Sequence, residues 1–316
     1  MTKINTQLKR TLLSASLVST MMTASAAVPP SQAAANPLLQ RSGLLFSAPD
    51  FRQIKTTDYL PAIQEAIRQQ RAVIKRITAN KKPATFANTI LALEKSGELL
   101  DRVTSVFYGL ASADRTPEIA AIEKEATPML TDLQNEISFD AKLFARVKYV
   151  YQNEYKKLKG EDKKLLDEVY KDFVRSGALL PAAKKERMMA INKRISALQQ
   201  EWGTQLPAAT NDAVVWVQSR EELAGLSEAD VAQCKKDAES RGGKAPYCIV
   251  IINTTQQPIL TSLDNRNLRR RVYEASIHRA DGTGSHNTFP LVAEIAKLRA
   301  EKGELMGYKD YASYSL

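Results

Sequence analysis

Apolar residues spaced three and four apart recur along most of this 316-residue chain. Residues 57–78 place Leu60, Ile63, Ile67 and Ile74 on one side of a helix, with Gln and Arg between them. Gly and Pro, 13 of each, rarely interrupt the pattern. The sequence therefore predicts a mainly α fold, with helices over residues 57–78, 86–110, 117–139, 141–155, 163–176, 182 to beyond 202, 227–241, 264–279, 289–306 and from 308 onward.

One region changes to the pattern of strands. The runs AVVWVQ at 213–218 and YCIVII at 247–252 are short and rich in β-branched residues. They flank the predicted helix 227–241 and the Gly242-Gly243 break. We expect one small antiparallel β element over about 213–252.

Residues 1–26 have the layout of a secretory signal peptide. Lys3, Lys9 and Arg10 precede a mostly apolar stretch, and Ala24-Ser25-Ala26 resembles a cleavage site. The apolar stretch is shorter than the roughly 20 residues that span a bilayer. We expect cleavage, a disordered tail over 27–35, a periplasmic or secreted chain and no membrane span afterwards; an uncleaved anchor is the alternative.

The two cysteines, Cys234 and Cys248, have two interpretations. In an oxidising compartment they could form a disulfide that closes a loop of about 14 residues, worth about 3 kcal/mol in the chain-entropy model. They could equally be two separate buried thiols, because spacing does not show whether the side chains face each other.

The net charge of +10 could suggest a nucleic-acid partner. Basic residues are, however, mixed with acidic ones along the chain, and the densest basic stretches, 156–164 and 269–271, contain no interleaved aromatic residues. We expect solvated helix faces and no nucleic-acid binding.

The histidine inventory limits the chemistry further. A zinc-peptidase H-E-x-x-H motif needs two histidines at i and i+4 on one helix face, but His278 and His286 are eight residues apart. Ser285 and His286 beside Asp281 could suggest a triad, yet neighbours in a Gly-rich loop need not converge. Acidic pairs such as Glu294 and Glu301 have the spacing of a solvated helix face. We predict no catalytic and no metal-ligating residue in this chain.

Several segments resemble one peptidase family. The run FANTILALEKSGELLDRVTSVF at 86–107 is similar to the N-terminal region of bacterial dipeptidyl carboxypeptidases (peptidyl-dipeptidases), within the thimet oligopeptidase/neurolysin-like zinc metallopeptidases. Other segments of the mature chain match in the same order as in the family: NPLL at 36–39, LFARV at 143–147, GALL at 177–180, INTTQQP at 252–258 and LMGYKDY at 305–311.

The resemblance implies a fold and a function. Members of the family are about twice as long, and their H-E-x-x-H helix and remaining catalytic residues lie in the C-terminal half, so no catalytic residue can be assigned here. It implies that residues 36–316 are the helical N-terminal half of a channel-forming metallopeptidase. It also implies that the full-length peptidyl-dipeptidases of this family use zinc to remove C-terminal dipeptides from oligopeptides.

We therefore expect a channel-wall fragment of an exported enzyme, inactive alone and without zinc of its own. Helices that normally pack on a second half should expose apolar stripes, and a complementary C-terminal chain is an expected partner. Two alternatives stay open: a non-enzymatic periplasmic helical protein that binds peptides, and one half of a split peptidase.

Overall fold

The structure, a computed structural model, describes residues 36–316. The predicted signal peptide (1–26) and tail (27–35) lie outside the described residues. Helices dominate the described part: α1 Tyr59–Ala79, α2 Glu98–Ala113, α3 Pro117–Phe139, α4 Ala141–Glu154, α5 Gly160–Ser176, α6 Ala182–Asp212, α7 Glu228–Ser240, α8 Asn253–Ser262, α9 Arg266–Ile277, α10 Phe289–Leu305 and α11 Tyr311–Ser315.

The helix boundaries follow local chemistry. Thr116 and Asp140 accept backbone N–H groups at the starts of α3 and α4, which satisfies donors that a helix start leaves unpaired. Gly177 ends α5 with φ of 102°, a conformation that favours glycine. No helix of residues 36–316 is both long and apolar enough to cross a membrane.

Two apolar cores hold the first five helices together. In the first, α1, α2 and α3 bury Ile63, Ile67 and Phe107, and the Phe107 ring lies 5.4 Å from that of Tyr59. In the second, the end of α1 packs on α4 and α5 through Ile74, Val147 and other side chains. The stripe predicted from residues 57–78 thus faces two successive sets of partners.

The predicted helix 86–110 is not regular. It opens with a π-helical segment, Phe86–Leu91, continues through one α turn, Ala92–Glu94, and a 3-10 turn, Lys95–Gly97, and only then becomes α2. A capping box between Thr85 and Asn88 fixes its start. Further 3-10 turns are Pro37–Leu39, Leu45–Ser47, Thr56–Asp58 and Glu221–Leu223.

The small antiparallel element is confirmed. β1 (Val215–Val217) pairs with β2 (Tyr247–Ile249), with Trp216 opposite Cys248. Its inner face shares a third core with α7, α8 and α9, through residues such as Leu223, Ile249 and Val272. The mainly α prediction is confirmed as well, although α8 was not among the predicted helices.

The long helix α6 packs against α10. Ile191 and Leu198 of α6 pack against Leu291, Ile295 and Leu298 of α10. Two bidentate ion pairs cross the same interface at 2.5–2.7 Å, Arg187 with Glu301 and Arg194 with Glu294. Glu294 and Glu301, predicted to be solvated, are therefore partly exposed links between two helices.

Candidate functional site

The loop between α9 and α10 carries both histidines of the chain. His278 follows α9 directly, and its Nδ1 shares a 2.7 Å hydrogen bond with Asp281 Oδ2. The His286 Nε2 lies 3.1 Å from Oδ2 of Asp212, at the end of α6. A cavity of about 310 Å³ lies between this loop and the end of α6.

Backbone bonds fix the loop. The Thr288 N–H donates to the Ala280 carbonyl at 2.8 Å, and the Gly282 N–H donates to the His286 carbonyl at 3.1 Å. Both Ala280 and Thr288 are buried. The end of α9 and the start of α10 are therefore held next to each other.

This geometry does not form a catalytic triad of Ser285, His286 and Asp281. Asp281 is bonded to His278, and His286 is bonded to Asp212, so no Asp281–His286 relay reaches Ser285. The Asp212–His286 pair has no sequence signal, because 74 residues separate its members. Within residues 36–316, no group of three His, Cys, Asp or Glu side chains could hold a metal ion.

The Asp281 carboxylate organises the loop and supplies a pH test. The Thr283 backbone N–H and then the His278 ring lower the pKa of Asp281 to about 2, from its ordinary value of 3.8. Because the pKa is lowered, the bonds should be complete above pH 3.8 and be lost as the pH falls through about 2.

An NMR titration of the Asp281 carboxyl should give a midpoint near 2 in the natural chain. His278→Ala should raise this midpoint but leave it below 3.8, because the Thr283 N–H remains. Asp310, whose pKa is lowered by the Ser313 backbone, is the control and should not change. A wild-type midpoint at the ordinary value would contradict the geometry.

Both cysteines are buried free thiols in the structure. Burial raises the pKa of the Cys234 thiol to about 12 and also raises that of Cys248. Because the thiolate is the reactive form, both should react slowly while the chain is folded. A Cys234–Cys248 disulfide stays a prediction.

Two apolar stripes lie exposed on either side of the histidine loop. On α9, Tyr273 and Ile277 are four residues apart and about half exposed; on α10, Phe289 and Val292 are three apart, and Phe289 is 63% exposed. We call these four side chains the α9–α10 apolar stripes. Contiguous exposed apolar patches are typical of a surface that another chain or segment covers.

Comparison with known proteins identifies similar peptidases. Dipeptidyl carboxypeptidase from Escherichia coli (strain K12) is 34% identical over 282 residues, 89% of this chain and 41% of that protein. The same enzyme from Salmonella typhimurium (strain LT2) is also 34% identical, over 89% of this chain and 42% of its own length. Oligopeptidase A from Salmonella typhimurium is 28% identical over 286 residues, 89% of this chain and 41% of its own length.

No family model matches the chain. The chain spans about two fifths of the length of the curated relatives it matches. The similarity nevertheless covers 89% of this chain, and the helical architecture fits the resemblance seen in the sequence. These similarities support a thimet oligopeptidase-like peptidase family for this chain, as a counterpart of its N-terminal half.

Proposed function

We propose that this chain is the N-terminal half of an exported zinc peptidyl-dipeptidase and forms a wall of its substrate channel. The observation that carries the proposal is the 34% identity to dipeptidyl carboxypeptidase over 89% of the chain. Removal of C-terminal dipeptides from oligopeptides would belong to the complete enzyme. This half would contribute helices that bound the channel.

The residues present do not fit a catalytic zinc site. The sequence contains no H-E-x-x-H, and each of its two histidines is hydrogen-bonded to an aspartate. A catalytic zinc ion takes three protein ligands and keeps one position open for water. We therefore propose that this chain holds no catalytic zinc ion and has no peptidase activity alone.

The α9–α10 apolar stripes would contact the C-terminal half. The matched relatives are more than twice as long as the segment they share with this chain, so their remaining residues are the proposed partner. Aromatic side chains such as Tyr273 and Phe289 are enriched at the energetic centres of interfaces. The partner could be part of the same polypeptide or, in a split peptidase, a separate chain.

Export is the remaining part of the proposal. Its support is the signal-like layout of residues 1–26 in the sequence. The mature protein would act on peptides in the periplasm or outside the cell.

A turnover assay tests the inactivity of the isolated chain. The 316-residue chain is incubated with zinc and an oligopeptide bearing a free C-terminus, and the products are analysed by mass spectrometry. We expect no dipeptide release, because the ligands for a catalytic metal are missing. Dipeptide release that a chelator abolishes would contradict the proposal. The double variant His278→Ala/His286→Ala would then show whether these histidines contribute.

A further inference from the structure

A cavity of about 610 Å³ lies at the beginning of the described chain, far in sequence from the histidine loop. It opens between the segment that precedes α1 and the Arg102 and Val106 side chains of α2. Its volume falls within the roughly 300–1,000 Å³ of small-molecule sites. Apolar side chains, among them Leu38, Leu44, Ile54 and Val106, share its wall with polar ones.

Arg102, on α2, is the unbalanced charge of this wall. Its guanidinium makes one hydrogen bond within residues 36–316, from Nη2 to the Leu38 carbonyl at 3.3 Å. Its buried Nε has no acceptor, and no ion pair with a described carboxylate compensates its charge. A guanidinium offers five N–H donors and stays protonated, so leaving the buried Nε without a partner is costly.

The other charges of the wall are already compensated. Arg41 forms an ion pair with Glu98. Arg52 is bonded to Asp50 at 2.8 Å, and Gln53 donates to the same carboxylate at 3.0 Å. Arg102 is thus the cation of this wall that a ligand would complete.

We propose that this cavity binds the C-terminal residue of a peptide. The terminal nitrogens of Arg102 would donate to the peptide carboxylate, a pairing for which the planar guanidinium is suited. An apolar side chain of the peptide would pack on Leu38, Ile54 and Val106. The choice of a peptide over another apolar acid rests on the proposed function. Binding of a carboxylate by Arg102 is inferred from the cavity alone.

The test compares a peptide acid with its amide on the 316-residue chain. N-acetyl-Ala-Phe and N-acetyl-Ala-Phe-amide differ in the one group that Arg102 would bind. Isothermal titration calorimetry should show at least about tenfold weaker binding of the amide, since hydrogen bonds to charged groups are the stronger ones. Acetate, which lacks the apolar part, should also bind at least about tenfold more weakly.

Two arginine variants locate the effect. Arg102→Met keeps most of the aliphatic stem and removes the charge, and should weaken binding of the acid to the level of the amide. Arg270→Met is the matched control, because Arg270 is an exposed arginine on α9 that pairs with Glu274; binding should be unchanged.

Equal binding of acid and amide, or undiminished binding to Arg102→Met, would overturn the inference. If acetate bound as tightly as the peptide acid, the cavity would be a simple anion site, and the inference would be overturned as well. The acid–amide comparison needs no variant, so it stays decisive if Arg102→Met does not fold. Because binding is measured without turnover, failure here is distinguishable from failure of the proposed peptidase function.

Discussion

Replacing Tyr273 and Phe289 by glutamate is expected to prevent assembly of this chain with the C-terminal part of the Escherichia coli dipeptidyl carboxypeptidase, co-expressed as a second polypeptide. Buried aromatic anchors are each worth about 2 kcal/mol or more at an interface. A glutamate at either position would also leave a buried charge without a partner. Loss of co-purification of the two polypeptides is the measurement.

The fold of this variant should be unaffected. Both side chains are more than half exposed, and Phe289 is the first residue of α10, where an acidic side chain suits the helix dipole. Tyr149→Glu is the matched control, since Tyr149 is 48% exposed on α4, away from the stripes. The proposed position of the interface would be wrong if Tyr273→Glu/Phe289→Glu still co-purifies with the C-terminal part, or if Tyr149→Glu abolishes assembly equally.

Gly225→Ala is expected to destabilise the third core by about 2–5 kcal/mol. Gly225 has φ of 94°, and a Cβ there would lie 2.2 Å from the Ser262 carbonyl oxygen and 2.8 Å from the Asp264 nitrogen. The neighbouring Ala224 carbonyl accepts the Asp264 N–H at 2.8 Å, so the two segments cannot separate without breaking this bond. Urea unfolding measures the loss.

Gly242→Ala separates the two causes of that loss. Gly242 has φ of 89°, similar to that of Gly225, but a Cβ there meets nothing within 4 Å. It should therefore show the conformational cost alone, about 1–2 kcal/mol. Equal losses for the two variants would mean that the close approach of Gly225 to Ser262 contributes nothing.

Helices with a continuous apolar stripe could be predicted from the sequence. Residues 117–139 and 182 onward alternate apolar and polar positions over many turns, and α3 and α6 occupy these ranges. The small sheet could be predicted equally well, because the β-branched runs at 213–218 and 247–252 lie on either side of a predicted helix and a Gly-Gly break.

The helix α8 was missed for a physical reason. Its sequence NTTQQPILTS combines threonines with an internal proline, all poor helix formers, and Ile259 is its one fully buried side chain. Tertiary contact, not propensity, stabilises it: Ile259 lies in the third core with Leu263 and Leu268. The π-helical start at Phe86 is likewise set by packing and by the Thr85 cap rather than by an apolar period.

The candidate sites were harder to predict from the sequence than the fold. The absence of H-E-x-x-H could be read directly, but which aspartate holds which histidine depends on residues 74 positions apart. Arg102 looks like any other charged residue of an amphipathic helix. Its environment could not be predicted, because only the fold brings Arg102 to the Leu38 carbonyl and, within residues 36–316, pairs it with no carboxylate.

We propose that this chain lacks the ligands for a catalytic metal and supplies a channel wall of an enzyme that has them. The direct measurement is dipeptide release by the chain alone, by the C-terminal part of the Escherichia coli relative alone, and by the two co-expressed. We expect release from the combination alone, abolished by a chelator and by Tyr273→Glu/Phe289→Glu. Chelator-sensitive release by the isolated chain, or a combination that assembles and still releases nothing, would contradict the account.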